Sequence, residues 1–293
     1  MRVFVTGASG WIGSAVVPEL LGAGHTVVGL ARSDASAGKL ESAGAEVLRG
    51  SLDDLDVLRK GAETTDGVVH LAFIHDFGDY ARSVETDLRA VETLGGALER
   101  SGRPFVHTSG LGGLSLGRPS TERYPVGNAP RAAAERTALG FAERGVRSSV
   151  VRLAASVHGE GDSGFIATLA GIARDKGASG YIGDGANRWP AVHRFDAARL
   201  YRLALEQAPA GSVLHGAGDE GIPIRTIAEV IGRTLDLPVV PVAPERADEH
   251  FGWLGRFLAA DIPASSALTQ ELLGWRPTGP GLLADLEAGY YTR

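Results

Sequence analysis

The chain has 293 residues, 44% of them hydrophobic, enough to bury the core of one large α/β domain or of a domain carrying a smaller lobe. Its formal charge is −6 and no run of Lys or Arg exceeds two residues, which excludes the clustered positive field of a nucleic-acid surface. Cysteine is absent, and with it go disulfides, thiolate metal ligands and a cysteine nucleophile.

The first residues, Met1-Arg2-Val3-Phe4-Val5-Thr6, run directly into a glycine turn, so no signal peptide is expected. No apolar run reaches the ~18 residues of a membrane span, so a cytoplasmic location is expected. Short β-branched runs at 3–6, 26–30, 45–48, 67–71, 105–108 and 149–153 read as strands. Helical periodicity lies between them, at 11–21, 82–100 and 131–144. Strands alternating with helices at this spacing predict parallel strands joined by right-handed crossovers, a doubly wound sheet.

After Leu153 the rhythm changes. Gly-rich loops at 159–164 and 183–187 flank a helix, a seventh strand is expected at 212–215, and from Pro223 the chain reads as mostly helical, ending in 268–274 and 282–290. The expected division is a dinucleotide-binding domain over 1–158, to which 189–220 return, and a substrate lobe over 159–188 and 221–293.

The segment Thr6-Gly7-Ala8-Ser9-Gly10-Trp11-Ile12-Gly13 follows one strand and opens one helix. A pyrophosphate needs close backbone, convergent N–H groups and the positive end of a helix. Gly7 permits the tight turn, Gly10 lets a ligand approach the main chain, and Gly13 lets the helix pack close. Ser9, Trp11 and Ile12 complete the cradle. An NAD pocket usually ends its second strand in an acid that accepts from the ribose hydroxyls. Here Leu30-Ala31-Arg32-Ser33 ends that strand, with no acid before Asp34. Arg32 can fork onto a 2′-phosphate, with Ser33 donating and Lys39 in reach, which favours NADP(H) over NAD(H).

At these motifs the chain resembles the extended short-chain dehydrogenase/reductase superfamily, in its NAD-dependent epimerase/dehydratase group. The resemblance runs through the 6–13 turn, His70-Leu71-Ala72, Phe105-Val106-His107-Thr108-Ser109, Val151-Arg152-Leu153 with Val157-His158-Gly159, and Val192-His193-Arg194-Phe195-Asp196. It implies a Rossmann domain with a small C-terminal substrate lobe, and commonly a homodimer through two helices, here 82–100 and 131–144. It also implies that Leu71, Ala72, Phe73 and Thr108 line the cofactor path.

The family's reaction uses a Tyr-x-x-x-Lys pair and a hydroxyl residue. Matching the helix start Ala132-Ala133-Ala134-Glu135 puts Arg131 at the lysine position, where it would hold the ribose, and Gly127 at the tyrosine position. Gly110 falls at the serine position, leaving Thr108 and Ser109 just before it. Glycine has no acid to offer, and arginine does not release its proton near neutrality. The candidate replacements are Ser109, Tyr124 in a proline-flanked loop, His158 after the sixth strand, and His75 beside Asp76. Surface or turn roles compete for each. His193 is expected to buttress the lobe junction. Scattered histidines without i,i+4 pairing give no metal site. Trp189, Trp253 and Trp275 are expected in core or pocket wall, and only Arg188, Arg194 and Arg246 offer themselves as anion clamps in the second lobe. The sequence therefore predicts an atypical NADP(H)-dependent oxidoreductase of a small carbonyl, alcohol or imine, with a non-catalytic NADP(H)-binding sensor or scaffold as the alternative.

Overall fold

A computed structural model of the protein describes residues 1–76, 78–114 and 117–291. In chain order the first half contains β1 (Arg2–Thr6), α1 (Gly13–Gly22), β2 (Thr26–Ala31), α2 (Asp34–Ser42), β3 (Glu46–Arg49), α3 (Leu55–Glu63), β4 (Gly67–His70), α4 (Tyr80–Ala97), β5 (Pro104–Gly110), α5 (Ala132–Gly140) and β6 (Arg147–Leu153). The second half contains β7 (Ser156–His158), α6 (Phe165–Lys176), β8 (Ser179–Ile182), β9 (Arg188–His193), α7 (Arg194–Gln207), β10 (Ser212–Gly216), β11 (Asp219–Pro223), α8 (Ile224–Leu235), β12 (Val239–Val242), α9 (Ala247–Phe251), α10 (Gly255–Leu258), α11 (Ala267–Leu273) and α12 (Leu282–Glu287).

Seven strands form one sheet in the order β10-β6-β5-β4-β1-β2-β3, every pair parallel. Both faces are covered, as a parallel sheet requires, so β4 reads Gly-Val-Val-His with every residue buried. On one face Val3, Val5, Val69, Val106 and Val151 pack against α1 and α7 through Val16, Leu20, Tyr201 and Leu205. On the other, Phe4, Val68, Phe105 and Val150 pack against α3, α4 and α5 through Leu58, Val91, Leu94 and Ala138. The strand order reverses beside β1, and at such a switch point the carboxyl ends of the strands open a crevice for ligand.

Two expectations from the sequence are corrected. The helix expected at 131–144 is α5 followed by a 3-10 turn, Phe141–Arg144, which ends at Gly145 in the left-handed region. The mainly helical lobe also carries strands: β7, β9 and β11 form a small mixed sheet, and β8 pairs in parallel with β12. Residues 189–193 belong to that mixed sheet, and Trp189 sits in the core of the lobe with Ile166, Ile227 and Leu254. Only α7 and β10 return to the large sheet. Conversely Trp275 lies in the sheet's own core, donating from Nε1 to the Asp196 carbonyl at 3.0 Å. The last two lobe residues fall outside the described residues. Among the described residues no helix is long and apolar enough to cross a membrane.

Close packing of α4 on the turn after α5 depends on a glycine. A methyl at Gly95 would lie 2.1 Å from Cε2 of Phe141, a buried ring edge-on to Phe105. Gly95→Ala is therefore expected to cost about 1–3 kcal/mol through overpacking, read as a thermal midpoint lower by several degrees.

Candidate active site

The turn between β1 and α1 is built from glycines with separate duties. Gly7 has φ +67°, and a side chain there would strike the Ala72 backbone nitrogen at 2.7 Å. At Gly13 a methyl would fall 2.1 Å from the Gly7 carbonyl, so the helix starts against the turn itself. A methyl on Gly10 would meet only that carbonyl, at 3.2 Å, leaving the outer side open to a ligand. No described side chain caps α1 at Ile12; the Ser14 and Ala15 N–H groups are taken by the Gly10 and Ile12 carbonyls at 2.8 and 3.0 Å, which leaves the N–H groups of Ile12 and Gly13 for an anion. The turn thus fits a dinucleotide diphosphate. Trp11 takes a different place from the one expected of it. Its indole Nε1 donates to the Val157 carbonyl at 2.7 Å, and the Arg194 guanidinium lies over its ring at 4.3 Å. It ties the turn to the lobe rather than gripping phosphate with its side chain.

At the end of β2 Arg32 is exposed, while Asp34 is engaged by Arg49 at 2.8 Å. The Ser33 hydroxyl, expected to donate to a phosphate, instead caps α2: it accepts from the Ser36 N–H at 3.2 Å and donates to Ser36 Oγ. Lys39 sits in the last turn of α2, about 9 Å of helix rise from the cap, where its charge complements the negative end of the helix dipole.

A chain of hydrogen bonds runs under the carboxyl edge of the sheet. The Ala72 N–H donates to Thr6 Oγ1, which lies 2.6 Å from His70 Nδ1. His70 Nε2 donates to Asp87 Oδ1 at 3.3 Å, and Asp87 Oδ2 accepts from Arg131 Nε at 3.1 Å. Arg131 Nη2 donates in turn to the Thr108 carbonyl at 2.7 Å, and the Phe73 ring lies 4.2 Å beneath the guanidinium. Asp87 is buried; burial pushes its carboxyl up, yet His70 and Arg131 together hold it well below the usual carboxylate range. Arg131 is thus fixed by Asp87, the Thr108 carbonyl and the Phe73 ring. The hydroxyl of Thr108, expected to face the cofactor, is spent internally on the His70 carbonyl and the Tyr201 phenol, both at 2.8 Å.

His70, Asp87 and His107 also bring one ligand atom each within 4.8 Å, a grouping that sequence spacing did not disclose. The Arg131 guanidinium already supplies the cation there, and Thr6 takes the second nitrogen of His70. A divalent ion would add charge to a site whose carboxylate is balanced.

The structure separates the four candidate proton donors. His158 is fully buried, with Nδ1 2.6 Å from Asp285 Oδ2 and its ring edge-on to His193 at 5.5 Å. The parallel pairing of β7 with β9 turns it inward toward α12, so it clamps the lobe instead of facing the crevice. His193 joins it, accepting from the Phe195 N–H at the start of α7. Ser109 is buried within β5. His75 stands at the loop surface with its ring against Phe73; partial burial of the ring and the Arg131 charge lower its pKa, which disfavours the acid form near neutrality. Tyr124 is half-buried on Leu111, Leu114, Ala217 and Ala264, beside the ends of β5 and β10, with Arg118 5.2 Å over its ring. A cavity of about 330 Å³ opens behind it, bounded by Gly127, Glu135 and Arg152. Sequence reasoning missed Asp87, whose signal was an acid on the apolar stripe Ser83, Asp87, Ala90, Val91 and Leu94. It also missed Glu135, buried against Arg152 at 2.9 Å.

Both ring nitrogens of His107 are buried without a partner, and burial above all pushes its pKa down to about 3 from 6.5. Between those values the unfolded chain holds the extra proton, so stability falls as pH falls. His107→Leu is expected to remove one proton's worth of that slope, leaving the contribution of His215, lowered to about 4. Urea midpoints at neutral pH and near pH 5 should converge in the variant relative to the parent; an unchanged slope would contradict the assignment.

With the geometry in place, the comparisons with known proteins agree. Over 294 residues the chain is 50% identical to "Uncharacterized protein C2A9.02" of Schizosaccharomyces pombe, covering 99% of this chain and 100% of that one. It is 28% identical over 316 residues to the 4-hydroxy-2-methyl-3-oxo-4-farnesyl-3,4-dihydroquinoline-1-oxide ketoreductase of Stigmatella aurantiaca, covering 100% and 92%. The fold superposes on the dTDP-glucose 4,6-dehydratase DesIV of Streptomyces venezuelae with a TM-score of 0.77 at 23% identity, covering 100% and 98%. Residues 3–215 match the NAD dependent epimerase/dehydratase family, and the chain belongs to it.

Proposed function

We propose that this protein is an NADP(H)-dependent oxidoreductase that moves hydride to or from a small carbonyl, alcohol or imine, using a proton donor other than the family's tyrosine. One juxtaposition carries the reading: an uncapped helix start behind a glycine turn, with the exposed Arg32 at the neighbouring strand end where the nearest acid, Asp34, is engaged by Arg49. The turn would bind the diphosphate and Arg32 the additional 2′-phosphate. When bound, the nicotinamide supplies or accepts a hydride.

The remaining tasks fall to the chain. Arg131, anchored by Asp87 and the Thr108 carbonyl, orients the ribose and cannot relay a proton at neutral pH. In carbonyl reduction the oxygen gains a proton as the carbon gains hydride; Tyr124 is the group we assign to that transfer, because its ring sits at the ends of β5 and β10 while His158 is sequestered. The ketoreductase name of the Stigmatella relative supports carbonyl chemistry. A cytoplasmic setting and pairing of two copies through α4 and α5 belong to the same proposal. The outward face of α4 carries Arg82, Glu85, Arg89 and Glu92, so that contact would be polar and salt-sensitive.

A second reading, an NADP(H)-binding sensor without turnover, draws on Gly127, which offers no side chain at the family's tyrosine position and around which a methyl would meet nothing within 4 Å. NADPH oxidation against a panel of aldehydes, ketones and cyclic imines decides between them. Turnover that Tyr124→Phe abolishes with NADPH affinity unchanged supports the enzyme; tight NADPH binding with no turnover supports the sensor. Arg32→Asp is expected to weaken NADPH roughly 10–100-fold, the loss of a charge-assisted contact, with NADH little changed. An unaltered NADPH/NADH affinity ratio in calorimetry would place the 2′-phosphate elsewhere.

A further inference from the structure

The sequence offers three arginines of the second half as anion clamps, and the structure separates them. Arg188 forks onto Asp261 with contacts of 3.0 and 2.9 Å, and Arg246 pairs with Glu249. Arg194, which opens α7, is different. Among the described residues its guanidinium has no carboxylate partner and donates no hydrogen bond, and its Nε is buried without an acceptor. Acids of the lobe junction are engaged elsewhere. Asp285 lies 2.6 Å from His158, Asp162 accepts from the Tyr291 hydroxyl at 3.0 Å, and Asp196 holds Arg199 and the N–H groups of Thr278 and Gly279.

The side chain is nevertheless held in place. Its guanidinium carbon lies over the Trp11 ring at 4.3 Å and over the Phe195 ring at 4.8 Å. Its stem passes Gly159, where a methyl would come within 3.2 Å of Cγ and Cδ. Trp11 is fixed in turn by its indole bond to the Val157 carbonyl and by Gly161, at which a methyl would lie 3.8 Å from Cζ3. Phe195 is 54% exposed, so the cation stands at a surface and not in the core. Ring faces attract a cation through their quadrupole but leave its N–H fork without an oxygen to meet. A partly buried donor in that state is costly, and an oxyanion entering the fork would relieve it.

The position of Trp11 names the anion. It belongs to the glycine turn, and the N–H groups left for an anion are those of the next two residues, Ile12 and Gly13. A diphosphate on those groups is one residue away from the ring that carries Arg194.

We propose that Arg194 is a binding residue for the diphosphate of the nicotinamide cofactor, supplied from the lobe junction in company with the N–H groups of Ile12 and Gly13. The proposal rests on the dinucleotide part of the reading above and not on the 2′-phosphate contact of Arg32. Calorimetry on the full chain with NADPH and with NADH tests it without requiring turnover. Arg194→Met, which keeps an unbranched stem beside Gly159, is expected to weaken both coenzymes roughly 10–100-fold and to leave their affinity ratio where it was. The dependence of affinity on ionic strength should become shallower, because one charge has left the contact. Arg194→Lys should restore part of both effects. Unchanged affinity overturns the assignment. So does a loss with unaltered salt dependence, which would make Arg194 a brace for Trp11, and so does a loss confined to NADPH, which would move the contact to the 2′-phosphate. Pyrophosphate that binds the NADPH-saturated parent and not the saturated variant, with coenzyme affinity intact, would assign the arginine to an anion of the substrate and overturns it as well. A parent that binds neither coenzyme overturns instead the dinucleotide reading on which the proposal rests.

Discussion

The site is organised around a carboxylate that never reaches it. Asp87 lies beneath the carboxyl edge of the sheet, accepting from His70 on β4 and from Arg131 at the start of α5. Two otherwise independent elements are thereby fixed to one buried charge, and through Thr6 and Ala72 the same chain of bonds reaches the glycine turn. Removing one member of a buried charged pair strands the other, so neither Asp87 nor Arg131 can be lost without consequence for its partner. The arrangement replaces a mobile cation with a rigid one. Arg131 keeps its charge and its fork of donors but gives up its Nε–H and one Nη2–H to protein, which suits positioning and not proton transfer.

The lobe is attached by a second set of buried polar contacts. His158 bonds Asp285 at the tail of the chain, the Gly159 N–H donates to the Tyr291 hydroxyl, and that hydroxyl donates to Asp162 at 3.0 Å. Asp196 in the first turn of α7 accepts from the backbone of Thr278 and Gly279. Trp11 adds the bond from the dinucleotide turn to β7. His158 and His193, which looked chemical in the sequence, therefore serve to close the junction.

What could be read from the chain alone follows from the range of the interactions involved. The glycine turn was legible because its constraints are local: Gly7, Gly10 and Gly13 act within one turn and are flanked by an apolar strand and helix. Asp87 was not, because its partner Arg131 stands 44 positions away and nothing in the spacing couples an acid in α4 to a base before α5. His158 was misplaced for a related cause, its partner lying 127 positions downstream. Four-residue strands such as β8 and β12 carry too little periodicity to be separated from loops, and they form only because the two segments pair with each other. Ser33 shows the opposite failure: a local role, capping α2, outcompeted a ligand role that its position also allowed.

On the proposed reading, with Gly127 at the tyrosine position and Arg131 at the lysine position, loss of the tyrosine and retention of the cation are coupled. In a Tyr-Lys pair the base lowers the phenol's pKa and shares in the passage of the proton, so the two must be adjacent and the lysine must be free to approach. With glycine at 127 nothing remains to be activated at that position, and a cation there need only hold the cofactor's sugar. An arginine locked to Asp87 and stacked on Phe73 performs that duty with less loss of side-chain freedom than a lysine would incur. The vacated volume lies beside a cavity behind Tyr124, three residues upstream. A donor entering from there would approach the substrate oxygen from the loop side rather than from α5.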